Sequence, residues 1–515
     1  MPWLSLVTFL PILGGLLVAA LPSSMARLSA FAVSLVTLAV SVPLWFLYDI
    51  GEKAPQFQLE EKLPWIDAFG VSYHLGIDGV SLLLILLTTI LTPIIVLAGF
   101  TGVEKGHKGY MALMLVLEGA MIGTFVALDT FVFYLFWELV LIPMYFLIGV
   151  WGGERRIYAA VKFFIYTVVG SLLMLVAMIA LYAKYYEVHH AWSTDLFDLL
   201  SVAELVPFGA QYWMFAAFAL AFAIKVPLFP LHTWLPDAHV EAPTGGSVVL
   251  AGVMLKMGTY GFYRFAIPLF PAAAIEWGPV IVGLSAIAVV YGALVALVQD
   301  DIKKLVAYSS VSHMGAVMLG LFAFTEPGVG GSVYQMLNHG VSTGALFLLV
   351  GVLYERRHTR AIAEYGGLSA VVPGFAVVFL IVTFSSIGLP GLNGFVGEFL
   401  ILLGAFKFAP LPTVLATTGV IFGAAYMLWA YQRMMFGPLS NHENQKLKDL
   451  SPREWAYLLP LVALIFMMGL FPQPFLDRIN PSVEALLGRI EAHYDQSPYA
   501  STGIPGWLTD AEQKG

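Results

Sequence analysis

No cysteine occurs in this chain of 515 residues, which excludes disulfides, iron–sulfur clusters held by thiolates and thiol catalysis. Charge is scarce as well. Asp, Glu, Lys and Arg make up 11% of the sequence, against roughly a quarter in soluble globular domains. No phosphate-binding loop is present, so any driving force must come from outside the chain. The net charge of −8 gives no reason to expect nucleic acid as a partner. What the chain has instead is 59% hydrophobic residues and a mean hydropathy of +0.84, the composition of a polytopic membrane protein.

The apolar runs are continuous rather than alternating, which predicts helices and not barrel strands. Runs of about 20 residues give fourteen expected spans: 3–22, 27–49, 77–99, 109–128, 130–151, 159–186, 212–235, 245–267, 274–298, 303–325, 330–353, 370–408, 413–436 and 456–475. The first has no basic residue before it and no convincing cleavage site after it, so it reads as a retained helix. Fourteen Lys and Arg fall in the loops after odd-numbered spans: Arg27, Lys105, Lys108, Arg155, Arg156, Lys303, Lys304, Arg356, Arg357, Arg360, Arg433, Lys446, Lys448 and Arg453. The opposite loops carry five, Lys53, Lys62, Lys184, Arg264 and Lys407. That bias predicts both termini outside the cytoplasm.

Six charged residues, Glu118, Glu138, Lys162, Lys225, Lys256 and Glu398, sit in the middle of the apolar runs together with His313 and His339. At roughly 3 kcal/mol for each charge at the centre of a membrane helix, the six cost about 18 kcal/mol, a burden typical of ion or proton pathways. Their spacing suggests internal symmetry. Glu138 and His313 are 175 residues apart and Lys225 and Glu398 are 173 apart, in each case five spans. Five is odd, so the second unit would enter the membrane inverted. The chain therefore reads as one membrane domain, 1–515, with inverted repeats at 109–267 (spans 4 to 8) and 274–436 (spans 9 to 13).

Two spans are expected to be broken. In KVPLFPLHTWLP, Pro227 and Pro230 follow Lys225, and proline removes a backbone donor and crowds the preceding turn. Span 12 would measure about 58 Å as one helix, against a hydrocarbon core of about 30 Å, and Gly388, Pro390, Gly391 and Gly394 mark where it unwinds. Unwound backbone at membrane depth survives only in protein or in a water-filled cavity. Lys225 and Glu398 are thus the expected centres of hydrated sites.

Glu138 beside Lys225 would make a switch of proton affinity, since moving a carboxylate away from a buried ammonium releases its proton; a static ion pair is the plain alternative. Lys256, with no acid in its own helix, could take that proton through water. His313 and His339 titrate near neutrality and suit a relay from Lys256 to Glu398. Auxiliary candidates are Glu118, a second acid or a buried neutral one, and Lys162, which also reads as marking a span end. His232 completes the set. His232, Asp237, His239 and Glu241 include metal-capable types, but the intervening Trp and Pro residues point to a shaped loop, and no metal is expected.

The run KVPLFPLHTWLPDAHVEAPTGGSVVLAGVMLKMGTYGFYR resembles the signature of the proton-antiporter family of membrane subunits, as do WELVLIPMYFLIGVWG and QDDIKKLVAYSSVSHMG. The resemblance covers essentially all fourteen spans. It implies a proton-translocating subunit of NADH–quinone oxidoreductase, respiratory complex I, in a bacterial inner membrane, with neighbouring antiporter-like subunits and lipid as partners. Glu398 in PGLNGFVGEF matches the family branch with glutamate there, whereas other branches and the related subunits of multi-subunit cation/proton antiporters, the alternative reading, usually carry lysine. By position Glu138, Lys225 and Lys256 match the family's first half-channel and central lysine, and His313, His339 and Glu398 match the second. The resemblance also implies that this chain holds no cofactor, with NADH, FMN, iron–sulfur clusters and quinone bound by partner subunits.

Overall fold

The computed structural model describes residues 1–51 and 53–493. Backbone N–H and C=O groups cannot go unpaired in lipid, and apolar runs meet that demand by coiling into helices. Helices α1 (Trp3–Ala20) and α2 (Ser23–Leu47) lead into a hairpin of β1 (Gln58–Ile66) and β2 (Val71–Ile77). Next come α3 (Gly79–Gly102), α4 (His107–Val126), α5 (Thr130–Leu139), α6 (Leu141–Trp151), α7 (Arg156–His189), α8 (Leu196–Ala203), α9 (Phe208–Lys225) and α10 (Trp234–Glu241). A composite helix follows, built of α11 (Thr244–Val249), α12 (Leu255–Gly261) and α13 (Ile267–Leu269) joined by π-helical segments at Leu250–Met254 and Phe262–Ala266. The remainder is α14 (Pro271–Leu297), α15 (Ile302–Leu321), α16 (Glu326–Arg357), α17 (Pro373–Ser386), α18 (Asn393–Phe408), α19 (Pro410–Met435), α20 (His442–Gln445), α21 (Pro452–Leu470) and α22 (Gln473–Ala492).

Each of the fourteen expected spans falls on helix, but among the described residues eleven helices, with α5 and α6 taken as one, are long and apolar enough to cross a membrane. The other three expected spans are the composite helix, α15, and the α17/α18 pair. They are the segments that carry Lys256, His313 and Glu398, so the shortfall from fourteen comes where polar chemistry is concentrated.

α16 forms the centre. Its apolar window is wholly buried, with α15, α17, α18, α11, α3, α21 and α22 packed around it. The outer helices α1, α2, α7, α19 and α21 leave much of their apolar surface uncovered, the pattern of a bundle in lipid.

Several elements have no counterpart in the expected spans. The β1–β2 hairpin is antiparallel, pairing Glu61 with Leu75 and Lys62 with His74. α22 buries Ile479, Val483, Leu486 and Ile490 along one stripe, the spacing of an amphipathic helix lying on a surface. One expectation needs correction: Arg264, counted above as a loop residue, lies inside the second π segment and is 4% exposed.

Candidate functional site

Both expected breaks are present, each next to a charged side chain. α9 ends at Lys225, the chain unwinds through Val226–Thr233, and α10 resumes at Trp234. Pro227 and Pro230 lack the donors that would continue the helix, and Trp234 Nε1 turns back to donate to Ile224 O at 2.8 Å. In span 12 the unwound stretch is Ile387–Leu392. Gly388 and Gly391 have φ of +71° and +91° there, a region glycine enters freely. A Cβ on Gly388 would lie 2.5 Å from Glu398 Oε2, so this glycine makes room for the carboxylate.

Two further interruptions accompany the ionisable groups. α5 gives way to α6 at Val140, two residues beyond Glu138, where Pro143 lacks the N–H that would bond the carbonyl four residues earlier, that of Leu139. The composite helix has a π segment on either side of Lys256, and such wide turns gather at functional sites. Lys256 Nζ donates to Ala251 O inside the first of them.

Lys225 is 1% exposed. Its Nζ has no hydrogen-bond partner among the described residues and lies 4.4 Å from the ring centre of Trp137, the neighbour of Glu138. No closed ion pair joins Glu138 to Lys225 among the described residues: Lys225 Nζ and Glu138 Oε1 are both without a hydrogen-bond partner. The static-pair reading is thereby disfavoured. Gly258 brings α12 against α9: a Cβ there would stand 2.7 Å from Phe222 O and 2.9 Å from Val226 N. Lys256 and the break after Lys225 are thus carried on helices in backbone contact.

From Lys256 a chain of close contacts continues. Lys256 Nζ is 2.7 Å from His339 Nδ1, and the His339 and His313 ring centres are 5.7 Å apart. His313 Nε2 is 3.1 Å from Ser386 O, at the end of α17, and 3.8 Å from Glu398 Oε1. Glu398 Oε1 accepts from Gln335 Nε2 at 3.2 Å, and Gln335 Oε1 accepts from Asn338 Nδ2 at 2.9 Å. A cavity of about 30 Å³ bounded by His313, Ser386, Glu398 and Tyr426 lies beside the acid, large enough for one or two waters.

The auxiliary candidates scatter. Glu118 on α4 is fully buried and neither of its oxygens has a hydrogen-bond partner among the described residues; the Thr92 hydroxyl donates to Thr88 O. Lys162 is 20% exposed near the start of α7 and pairs with Asp237 at 2.7 Å while donating to Thr233 O at 2.9 Å, so it pins α10. His232, in the break, is buried against Phe229 and Tyr291. The four metal-capable residues look in different directions: Asp237 to Lys162, Glu241 to the Arg155 N–H, His239 onto the Phe347 ring.

Gln335, Asn338 and Lys303 were not singled out from the sequence. A usable signal existed for the first two, because Gln335 precedes His339 by four positions and Asn338 precedes Ser342 by four, polar pairs on one face of a helix apolar elsewhere. Lys303 had only the look of a loop charge. It is 7% exposed and donates to Ala242 O and Val240 O at 2.5 and 3.3 Å, capping the carbonyl end of α10.

Residues 127–423 match the family model described as NADH:quinone oxidoreductase/Mrp antiporter, TM. NADH-quinone oxidoreductase subunit M of Rhodobacter capsulatus is 47% identical over 519 residues, covering 97% of this chain and 99% of the relative. NADH-ubiquinone oxidoreductase chain 4 of Arabidopsis thaliana is 44% identical, covering 94% of this chain and 96% of that one. Among solved structures, a chain of respiratory complex I from Thermus thermophilus superposes with a TM-score of 0.86 at 36% identity, over 95% of this chain and 99% of that chain. A chain of the Mrp complex from Dietzia sp. DQ12-45-1b shares the fold, with a TM-score of 0.80 at 23% identity, covering 95% of this chain and 52% of that one.

Proposed function

Since the chain belongs to the NADH:quinone oxidoreductase/Mrp antiporter transmembrane family, we propose that it carries protons along Glu138, Lys225, Lys256, His339, His313 and Glu398. It is an antiporter-like membrane subunit of an NADH–quinone oxidoreductase, a translocase complex, with other membrane subunits of that complex as its partners. The observation that carries the proposed route is the run of contacts from Lys256 through His339 and His313 to Glu398. Every member of that run can hold or release a proton, with Lys256 hydrogen-bonded to His339, His313 edge-on to His339 and Glu398 3.8 Å from His313.

In this reading spans 4 to 8 and 9 to 13 are two inverted units, 109–267 and 274–436, each contributing a broken helix. The break after Lys225 serves uptake and the break before Glu398 serves release. Redox cofactors belong to partner subunits, and electrostatic change there reaches Glu138 and alters Lys225. The positive-inside bias supports both termini on the outer side of a bacterial inner membrane. A cation/proton antiporter is the second reading, and Glu398, where that branch usually has lysine, weighs against it.

The test is NADH-driven acidification of vesicles carrying the assembled complex, read with a pH-sensitive dye. Glu138→Ala and Lys225→Ala should abolish acidification and depress coupled quinone reduction. Wild-type acidification in either assembled variant overturns the route.

A further inference from the structure

A second cavity lies away from the proton route, where the segment leading into the hairpin, α8, α13 and α22 meet. It measures about 260 Å³ and is open on one side. Its lining combines apolar side chains, among them Phe57, Phe197, Leu200 and Leu486, with two arginines, Arg264 and Arg489.

Both arginines are held rigidly. Arg264 is 4% exposed; its Nη2 pairs with Asp78 Oδ2 at 2.6 Å and its Nε donates to Tyr260 at 3.1 Å. Phe57 faces the same guanidinium at 4.6 Å. Arg489 Nε donates to Pro268 O at 2.7 Å and its Nη2 to Leu200 O at 3.3 Å. Its acid, Glu204 at 3.2 Å, is shared with His493 at 2.8 Å. The hydrogen bonds of the two guanidinium groups among the described residues all run from Nε and Nη2, none from Nη1. Two ordered arginines, each with N–H groups beyond those its own partners take up, thus line one cavity, an arrangement that suits a phosphate.

We propose that this cavity binds the phosphate headgroup of an anionic phospholipid, with an acyl chain along Phe197, Leu200 and Leu486. A soluble phosphate would need only the donors. The apolar lining and the placement beside the amphipathic helix α22, where membrane helices end, favour the lipid.

The test uses proteoliposomes of the whole complex, doped with photoactivatable phosphatidylglycerol or, separately, with photoactivatable diacylglycerol, followed by peptide mapping. Phosphatidylglycerol should label peptides of α8 and α22 and diacylglycerol should not. Arg489→Gln should cut the labelling about tenfold, the worth of one charge-assisted hydrogen bond, and Leu200→Trp should remove it by filling the cavity. NADH oxidation in each variant reports assembly. Equal labelling by the two lipids, or none by either, overturns the site; protection by millimolar inorganic phosphate overturns the lipid as its occupant.

Discussion

The two sides of Lys256 are built differently. Towards Glu398 the polar groups stand close: Lys256 bonds His339, the His339 and His313 rings meet edge to face, and Glu398, Gln335 and Asn338 follow, with Ser342, Ser385 and Asn393 hydrogen-bonded beside them at 2.5 to 3.2 Å. Towards Lys225 they stand apart: Lys225 Nζ, Glu138 Oε1, both oxygens of Glu118 and His232 Nδ1 are buried without a hydrogen-bond partner among the described residues, whereas on the Glu398 side His339 Nε2, Asn338 Oδ1 and Ser386 Oγ are left so within groups that are otherwise bonded or in contact. A buried group left so costs about 1–3 kcal/mol unless water reaches it. In the proposed route the difference means that the Lys225 side depends on water throughout, whereas the Glu398 side needs it chiefly at the His339–His313 step. On that proposal, gating by solvent access belongs to the Lys225 side.

The largest effect expected on this comparison comes from the residue where the two sides join. Lys256→Ala removes the group between them and should reduce NADH-driven acidification to the uncoupled background in assembled complex. Pumping above about a tenth of wild type would show that the sides connect elsewhere. His339→Gln is the next step down. Glutamine keeps a hydrogen-bonding side chain of similar reach near Lys256 but cannot be protonated, so pumping should fall about tenfold to a hundredfold, in the range of a lost proton-transfer group. A similar loss in solvent deuterium sensitivity would place proton transfer at that histidine; an unchanged rate would make it a spacer. Gly388→Ala tests the Glu398 break. The new methyl group meets the carboxylate and must adopt positive φ, costing about 1–2 kcal/mol of local stability, with pumping reduced severalfold and Lys225 chemistry untouched. An indifferent Gly388→Ala would remove the glycine from the site.

Much of this comparison was legible in the sequence because membrane burial makes charge expensive. Glu138, Lys225, Lys256 and Glu398 stood out against runs of apolar residues, and Pro227, Pro230, Gly388 and Gly391 announced the two breaks. Distances were not legible. Periodicity cannot say that Lys225 faces the Trp137 ring instead of closing on Glu138, nor that a π segment turns Lys256 towards His339. The sequence misled on Arg264 because a basic residue near a span end reads as a loop residue until Asp78, 186 positions away, is folded against it. The hairpin was hidden because its strands are short and one face is charged. α22 was hidden because its apolar residues form a stripe and not a run.

The smallest expected effect concerns the hairpin, which anchors the spans without sharing their proton chemistry. His74 Nδ1 is 2.7 Å from Asp195 Oδ2 and its Nε2 is 3.1 Å from Glu60 Oε2, while Lys62 reaches the same Asp195 oxygen at 2.7 Å. Burial would lower His74, but the Asp195 carboxylate outweighs it and holds the imidazole above its ordinary 6.5. Burial would raise Asp195, but His74 and Lys62 hold it below its ordinary 3.8. The raised imidazole stabilises the fold fully below pH 6.5 and loses that contribution as pH rises through its folded value. The depressed carboxylate contributes above pH 3.8 and loses its share as pH falls through its own folded value. The tether is therefore strongest between those two ordinary values and weakens first on the alkaline side. Hydrogen exchange of the amides of residues 58–77, corrected for intrinsic rate, should show protection falling from pH 6 to pH 9. Asp195→Asn should cost about 1–3 kcal/mol of that protection and flatten its pH dependence, while acidification by the assembled complex stays within about twofold of wild type. A pH profile identical in the two proteins would mean that Asp195 does not hold the imidazolium, and a collapse of pumping would tie the hairpin to the proton route from which the geometry separates it.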